Sequence, residues 1–255
     1  MRDRLSQLDA LMPAPIAVSI VSHGQLALVA SLLSDFEERG LCDIPVVVTL
    51  NIPEDESVLA AFKRLNLIIV RNSEPLGFGE NHNRAFDRVE CGYFLVVNPD
   101  IRLHQLDSRS IIDLFSQSSV GAVAPLVLSP EGSIEDNARR FPTVNRLLKR
   151  VLFGLRGPDY ECHGSPIEVD WVAGMFVAFR ASAYRKIGGF DTRYFLYMED
   201  ADICRRLRSV GFVTLLQPAT AVIHNAQRRS RRNLRYLAWH LGSAFRFLFL
   251  PEKTI

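Results

Sequence analysis

The feature that most constrains the fold is an alternation, through the first half of the chain, of short β-branched runs with segments of helical spacing. Four apolar runs predict strands at residues 16–21, 45–50, 67–70 and 93–97. Helices are predicted between them at residues 25–38, 58–65 and 80–89. Strands that alternate with helices form a mostly parallel central sheet flanked by helices on both faces. The sequence therefore predicts the α/β fold class.

The second half of the chain is less regular. Its patterning predicts strands at residues 121–128, 172–179 and 212–216, and helices at residues 181–187 and 200–209. Residues 131–170 are rich in Gly, Pro and charge, which predicts loops around a short basic helix. No internal repeat or linker divides the sequence. We predict an N-terminal extension over residues 1–15, one domain over residues 16–226 and a basic, amphipathic tail over residues 227–255.

Bulk properties argue against several classes of protein. A net charge of +2 is too small to indicate a nucleic-acid partner. The first residues do not form a signal peptide, and the longest apolar run, residues 171–179, is far shorter than the roughly 18 residues of a membrane span. The four cysteines form no CxxC pair, which argues against a zinc site and fits a reducing compartment. We therefore expect a cytoplasmic location.

Polar side chains follow the predicted strands of the first half. A parallel sheet binds its ligands outside the carboxyl ends of its strands, so residues at these positions are candidates for ligand binding. They are Ser22, His23, Asn51, Asn72, Asn98 and Asp100.

The fourth strand ends abruptly in the tripeptide Asn98-Pro99-Asp100. Proline ends the strand because it cannot donate a hydrogen bond to the sheet. The carboxylate of Asp100 can hold Mg²⁺ or Mn²⁺, and such a cation neutralises the oxygens of a departing diphosphate. The same tripeptide is also a common turn without chemistry, and the tripeptide alone favours that simpler interpretation.

A segment rich in glycine and asparagine follows the third strand. Gly77 and Gly79 allow the backbone to approach a ligand closely, and Asn83 adds a hydrogen-bond donor. The helix predicted from residue 80 would direct its N-terminal amides toward the same edge of the sheet. The alternative is a glycine turn before a polar helix start, because the spacing matches neither a P-loop nor a Rossmann fingerprint.

The most distinctive part of the sequence is the segment at residues 188–207, where a glycine turn leads into an aromatic run. Glu199 and Asp200 follow that run at the start of a predicted helix. A carboxylate beside an aromatic wall suits a sugar site, where it can take a proton from an acceptor hydroxyl. Acidic residues also complement a helix dipole, but that role does not require the aromatic residues before them.

Five segments together resemble glycosyltransferase family 2, especially its bacterial rhamnosyltransferase-like branch. They are VSIVS at 18–22, LGFGENHNRAF at 76–86, VVNPD at 96–100, WVAGMFVAFRASAYRKIGGFD at 171–191 and FLYMEDADICRRL at 195–207. The resemblance runs from about residue 16 to about residue 230. It implies a GT-A fold, a nucleotide-sugar donor, a divalent metal ion (Mn²⁺ or Mg²⁺) and inversion at the anomeric carbon.

The resemblance also implies roles for particular residues. Asp100 matches the second acid of the family's metal-binding motif, with Asn98 in place of the first acid. Asp200 matches the catalytic base, and Glu199 would orient it or touch the acceptor. The remaining matches are Trp171 and Gly174, beside the acceptor and donor sugar, and His224, which would complete the metal site. By itself His224 is also consistent with a structural histidine after a strand.

Two departures from the family pattern concern the nucleoside pocket. Leu50-Asn51 stands where the family often has Asp-Asn, and His23-Gly24 replaces a commoner polar pair. The nucleobase of the donor therefore stays open, with deoxythymidine-diphosphate-rhamnose as the first candidate by resemblance.

The resemblance implies an inverting transferase that moves a sugar to a saccharide or lipid-linked saccharide acceptor in cell-surface polysaccharide synthesis. One alternative is a degenerate protein that binds a sugar nucleotide without turnover, which Asn98 favours. Another is a nucleotidyltransferase, although such enzymes normally carry a glycine- and lysine-rich N-terminal phosphate loop that this sequence lacks.

The C-terminal tail allows two interpretations. Residues 227–235 are strongly basic, and the apolar residues that follow are interspersed with Arg235, His240 and Arg246. This pattern suits peripheral contact with an anionic membrane on its inner face. It equally suits a last helix that packs on the domain with its arginines in water.

Overall fold

A computed structural model describes residues 16–146, 158–162, 164–225 and 234–253. The strands in these ranges are β1 Ile16–Ser22, β2 Val46–Leu50, β3 Leu67–Arg71, β4 Tyr93–Val97, β5 Ile101–Arg102, β6 Val120–Leu128, β7 Ala138–Arg139, β8 Ile167–Val169, β9 Trp171–Val172, β10 Phe176–Arg180 and β11 Val213–His224. The α-helices are α1 Leu26–Glu38, α2 Phe78–Phe86, α3 Ser108–Ile112, α4 Ala181–Lys186, α5 Glu199–Ser209 and α6 Leu234–Phe249. Two 3-10 helices cover Glu56–Ala61 and Asp113–Ser116.

Most strands form one central sheet in the order β3-β2-β1-β4-β10-β6-β11-β5, and β8 adds to β11. The strands β1 to β4 pair in parallel, as the alternating pattern of the first half predicts. β10 lies antiparallel between β4 and β6, whereas β6 and β11 pair in parallel. The α/β prediction is confirmed, and each antiparallel pair among the described strands includes at least one strand from the second half of the chain.

Both faces of the sheet are covered. α1 buries Val29, Leu32 and Phe36 against one face, because its apolar residues recur at helical spacing. The other face carries residues from α2, α4, α5 and α6 in a second core. β2 is buried along its whole length between the two cores, which explains its uniformly apolar sequence.

Three local predictions need correction. The strand expected at residues 172–179 is divided into β9, which pairs with β7 in a separate two-stranded sheet, and β10, which belongs to the central sheet. The helix expected near Ser57 is a short 3-10 helix capped by Asp55, whose carboxylate accepts from the Ser57 backbone N–H at 3.0 Å. β11 extends to His224 rather than ending near residue 216. Part of the predicted basic-helix region, residues 147–157, lies outside the described residues.

The last helix packs on the domain through one face only. Ala244 and Phe247 are buried in the second core, and the guanidinium of Arg205 lies 3.9 Å from the centroid of the Phe247 ring. The hydroxyl of Ser243 donates to the carbonyl of Leu196 at 2.9 Å. Among the described residues, no helix combines the length and apolarity needed to traverse a bilayer.

Candidate active site

A cavity of about 890 Å³ opens at the carboxyl ends of β1, β2 and β4. This is the edge where parallel strands place their ligands, and the volume suits a molecule the size of a sugar nucleotide. Asp100 and Asp200, a hundred positions apart in the sequence, both line it. Other predicted residues on its wall are His23, Asn51, Asn98, Gly174 and Glu199.

Asn51 organises the end of the cavity next to β2. Its side-chain oxygen accepts from the backbone N–H of Leu76 and from the Asn72 amide, both at 2.8 Å. Its amide donates to the Leu76 carbonyl at 3.0 Å and lies 3.2 Å from Nδ1 of His23. The loop after β3 is therefore held against the end of β2. Asn72 supports this arrangement, although it does not line the cavity itself.

Gly77 and Gly79 also lie outside the cavity lining, and both come close to other parts of the protein. A Cβ at Gly77 would lie 2.8 Å from the carbonyl oxygen of Phe195, and a Cβ at Gly79 would lie 2.5 Å from the Cβ of Phe190. The backbone N–H of Phe78 donates to the Phe195 carbonyl at 2.9 Å, so one N-terminal amide of α2 is already occupied. The glycines join α2 to the segment that carries the two acids.

Asn83 has the same joining role and does not line the cavity, so its assignment as a donor-binding residue stays a prediction. Its side-chain oxygen accepts from the Phe190 backbone N–H at 2.9 Å and from the Tyr184 hydroxyl at 2.7 Å. Its amide donates to the Phe190 carbonyl at 2.9 Å. These bonds satisfy the Asn83 side chain inside the protein and fix the turn at Gly189, whose φ is +64°.

Two further predicted residues support the cavity wall from behind. Trp171 is buried, and its Nε1 donates to the Arg140 carbonyl at 3.0 Å. Ser22 is fully buried, and its hydroxyl accepts from the Gln25 backbone N–H at 3.2 Å. Neither side chain lines the cavity, so the structure does not place them against a bound donor.

Asp100 lies beside His224, as the metal-site prediction requires. One Asp100 oxygen is 3.2 Å from Nε2 of His224, and the other is buried without a hydrogen-bond partner. A carboxylate with an unpartnered oxygen next to an imidazole suits a divalent cation that shares its coordination sphere with phosphate oxygens. In the described part of the chain, no group of three or more His, Cys, Asp or Glu side chains is arranged to hold a metal ion by itself.

Glu135 was not predicted and lies on the far side of His224. Its carboxylate is 2.7 Å from Nδ1 of the imidazole. Burial opposes a positive charge on His224, but the contacts with Asp100 and Glu135 outweigh it and raise its pKa to about 9. A carboxylate on the outer nitrogen fixes the tautomer and the orientation of a ligating histidine. The sequence contained no spacing that could link Glu135 to His224, which is 89 positions away.

The backbone is strained where it enters α5. Tyr197 and Met198 both adopt left-handed conformations, with φ of 71° and 66°. Each such residue costs on the order of 1–3 kcal/mol, and strain of this kind concentrates at functional sites. The two residues turn the chain so that Glu199 and Asp200 begin the helix at the cavity wall.

The two acids of this wall have different surroundings. Asp200 accepts from the backbone N–H of Ala201 at 2.9 Å and from that of Gly174 at 3.3 Å. One oxygen of Glu199 is buried without a partner. Burial and the neighbouring Asp200 raise the pKa of Glu199 well above its ordinary value. Burial also raises the pKa of Asp200, but these backbone bonds act against the rise. The upward shift of the pKa is the larger for Glu199, which favours Glu199 over Asp200 as the protonated member of the pair.

Aromatic residues of α6 complete the cavity, and the sequence did not predict this. Tyr236 and Trp239 line it together with Phe195, whose ring centroid is 4.7 Å from that of Trp239. The sequence of the tail fits a membrane or packing element, and its aromatic residues show no pattern that points to a sugar. The aromatic run before Glu199 contributes both Phe195 and Tyr197 to the cavity lining.

Comparison with solved structures defines the fold. The mannosyltransferase PcManGT from Pyrobaculum calidifontis, in complex with GDP-Man and Mn²⁺, is similar with a TM-score of 0.64 at 16% identity, covering 96% of this chain and 67% of that one. A GalNAc-T7 structure with UDP, GalNAc and Mn²⁺ gives a TM-score of 0.66 at 13% identity, covering 93% and 48%. The fold is that of the GT-A glycosyltransferases.

The family follows from sequence comparison. Residues 13–238 match the model of the Glycosyltransferase like family 2, and the chain belongs to that family. A rhamnosyltransferase, WbbL, from Escherichia coli K12 is 33% identical over 185 residues, covering 68% of this chain and 70% of that protein. The N-acetylglucosaminyl-diphospho-decaprenol L-rhamnosyltransferase of Mycobacterium tuberculosis H37Rv is 28% identical over 231 residues, covering 80% and 74%. The resemblance stated from the sequence is confirmed.

Proposed function

We propose that this glycosyltransferase is metal-dependent and inverting, and that it transfers rhamnose from a nucleoside-diphosphate donor to a saccharide acceptor, carried on a lipid, in cell-surface glycan synthesis. The observation that carries the proposal is that Asp100 and Asp200 line the same cavity. The sugar and the lipid carrier are suggested by the rhamnosyltransferases to which the chain is similar.

Asp100 and His224 would hold the divalent cation, and His23 and Asn51 lie at the end of the cavity suited to the nucleoside. The cation, when bound, neutralises charge on the diphosphate leaving group. Two protein ligands would be enough to hold it, since Mg²⁺ in such sites usually keeps several water ligands and takes others from substrate phosphates. Asn98, at the position of the family's first acid, lines the cavity and can donate a hydrogen bond to the donor.

Asp200 acts as the general base. It removes the proton from an acceptor hydroxyl, whose oxygen bonds to the anomeric carbon as the bond from that carbon to the diphosphate oxygen breaks. A single displacement of this kind inverts the anomeric configuration. Glu199, in its protonated form, can donate a hydrogen bond to the acceptor or the sugar.

The test is release of nucleoside diphosphate from a panel of sugar nucleotides, with and without a lipid-linked acceptor. We expect release that depends on both Mn²⁺ or Mg²⁺ and the acceptor, with the fastest rate for a rhamnose donor and a product of inverted configuration. Binding of the donor without release would instead support the degenerate binding protein, and release of pyrophosphate would indicate nucleotidyl transfer. Asp113→Asn, at an exposed site remote from the cavity, is the matched control for active-site variants.

A further inference from the structure

α6 has two faces with different environments. One face holds Ala244 and Phe247 in the core and brings Trp239 to the cavity wall. The other face carries Leu237, Leu241, Phe245 and Phe249, which are 54%, 61%, 58% and 60% exposed. These four side chains are spaced four positions apart and follow one another along the helix as a continuous stripe. We call them the α6 stripe.

Large apolar side chains grouped in this way are uncommon on a protein surface that meets only water. Elsewhere in the described chain, exposed large apolar residues such as Val58, Ile134 and Val144 lie on separate elements. The grouping on α6 therefore indicates a surface that is covered by a partner.

The charges around the α6 stripe identify the partner. Arg235 and Arg246 are about three turns apart, so they lie on the same side of the helix, at the edge of the stripe that is nearer the cavity. Arg235 also lines the cavity, and its guanidinium lies 4.8 Å from the centroid of the Trp239 ring. Four more arginines occur at positions 228, 229, 231 and 232, and no Asp or Glu occurs from Ala226 to Pro251. An apolar helix face bordered by arginines, with no acidic residue, complements the acyl chains and the anionic headgroups of a membrane surface.

We propose that α6 lies in the plane of an anionic membrane, with the α6 stripe in the acyl boundary and the arginines at the headgroups. Because the opposite side of the helix forms part of the cavity wall through Tyr236 and Trp239, this placement puts the cavity opening beside the bilayer. An acceptor sugar attached to a membrane lipid then reaches Asp200 without leaving the surface. This last step rests on the proposed function, whereas the docking of α6 does not.

The test is flotation of the full chain with vesicles containing about 30% anionic phospholipid, in the absence of any sugar nucleotide. We expect the wild type to float with these vesicles, less so at high salt, and poorly with neutral vesicles. Phe245→Ser with Phe249→Ser should lower the partition coefficient by about tenfold or more, because two large apolar anchors are lost. Ile134→Ser with Val144→Ser removes comparable exposed apolar residues elsewhere and should float like the wild type.

The outcomes separate the possible occupants of the α6 stripe. A wild type that stays at the bottom of the gradient overturns the proposal, as does a stripe variant that floats normally. A change from dimer to monomer in the stripe variant, without any vesicle binding, would show that a second copy of the chain covers the stripe. Transfer to a water-soluble acceptor in the absence of vesicles tests the proposed function separately. The stripe variant should retain that activity, since neither phenylalanine lines the cavity.

Discussion

The two ends of the cavity are built in different ways. Around Asn51, polar side chains follow regular parallel strands and are fixed by a network of amide hydrogen bonds. Around Asp200, the backbone is irregular, passes through two left-handed residues and is held in place by contacts with α2. The region around Asn51, which we call the donor end, thus follows directly from the sheet topology. The region around Asp200, which we call the catalytic end, depends on packing between segments that are distant in the sequence.

The difference shows how such a site can combine rigidity with reactivity. The amide network leaves the polar groups of Asn51 satisfied, which favours a stable framework. The catalytic end retains an unpartnered oxygen on Glu199 and two strained residues, both of which require support from neighbouring structure. That support comes from the close contact of Gly77 with the Phe195 backbone and from the hydrogen bond between Asn83 and the Phe190 backbone N–H.

The largest effect is expected from the base itself. Asp200→Asn should lower the rate of transfer by about 10²–10⁴-fold, because the acceptor proton has no receiver. Affinity for the nucleoside diphosphate should change little. Glu199→Gln should be far milder, about tenfold or less, because glutamine resembles the protonated acid that this site favours. Single-turnover rates and calorimetric nucleotide titrations of both variants measure this. A loss in Glu199→Gln as large as that in Asp200→Asn would contradict the assigned roles.

The contact between Gly77 and the Phe195 backbone is tested by Gly77→Ala. The added methyl group would overlap the Phe195 backbone, which cannot rotate away, so we expect a loss of about 1–3 kcal/mol in the free energy of unfolding. Transfer activity should fall with it, since Phe195 precedes the catalytic acids. Gly242→Ala is the matched control: nothing lies near its added methyl group, and alanine should stabilise α6 by up to about 1 kcal/mol. Denaturant unfolding compares the two variants. A Gly77→Ala protein with the stability of the wild type would show that the contact with Phe195 does not hold the two segments together.

A smaller effect is expected at the metal site. Glu135→Gln should weaken Mn²⁺ binding in the presence of nucleoside diphosphate by about 10-fold, because the orientation of His224 is less well fixed. The change should be seen in a calorimetric or electron paramagnetic resonance titration of Mn²⁺, independently of turnover. Asp113→Asn should leave the titration unchanged. A Glu135→Gln protein with wild-type Mn²⁺ affinity would limit Glu135 to a structural role.

A further effect concerns the stability of the framework, where Asp35 of α1 pairs with Arg102 of β5. Burial raises the pKa of Asp35, but its bonds to Arg102 and to the Leu103 backbone N–H outweigh burial and lower the pKa below 3.8. Because the folded-state pKa is depressed, the ionised carboxylate contributes stability that is complete above pH 3.8 and is lost as the pH falls through the folded value. Asp35→Asn should therefore unfold more easily at pH 7, by about 1–3 kcal/mol, with a smaller difference at lower pH. Denaturant midpoints measured across the acidic range test the sign.

The sequence predicted the donor end better than the catalytic end for a physical reason. Uniformly apolar strands define the sheet, and topology then places Asn51 and Asp100 at one edge. The packing roles of Gly77, Gly79 and Asn83 could not be distinguished from ligand binding, because a close approach to protein and one to a ligand demand the same small or polar residues. Glu135 and Trp239 reach the site through tertiary contacts that follow no local periodicity.

The central claim is that Asp100 and Asp200 act on one donor from opposite parts of a single cavity. A crystal structure with Mg²⁺ and a nucleoside diphosphate tests it most directly. We expect the metal ion about 2.1 Å from an Asp100 oxygen, bridging the phosphates, with the terminal phosphate directed toward the space beside Asp200. A nucleotide bound elsewhere, or a metal ion without contact to Asp100, would contradict the account.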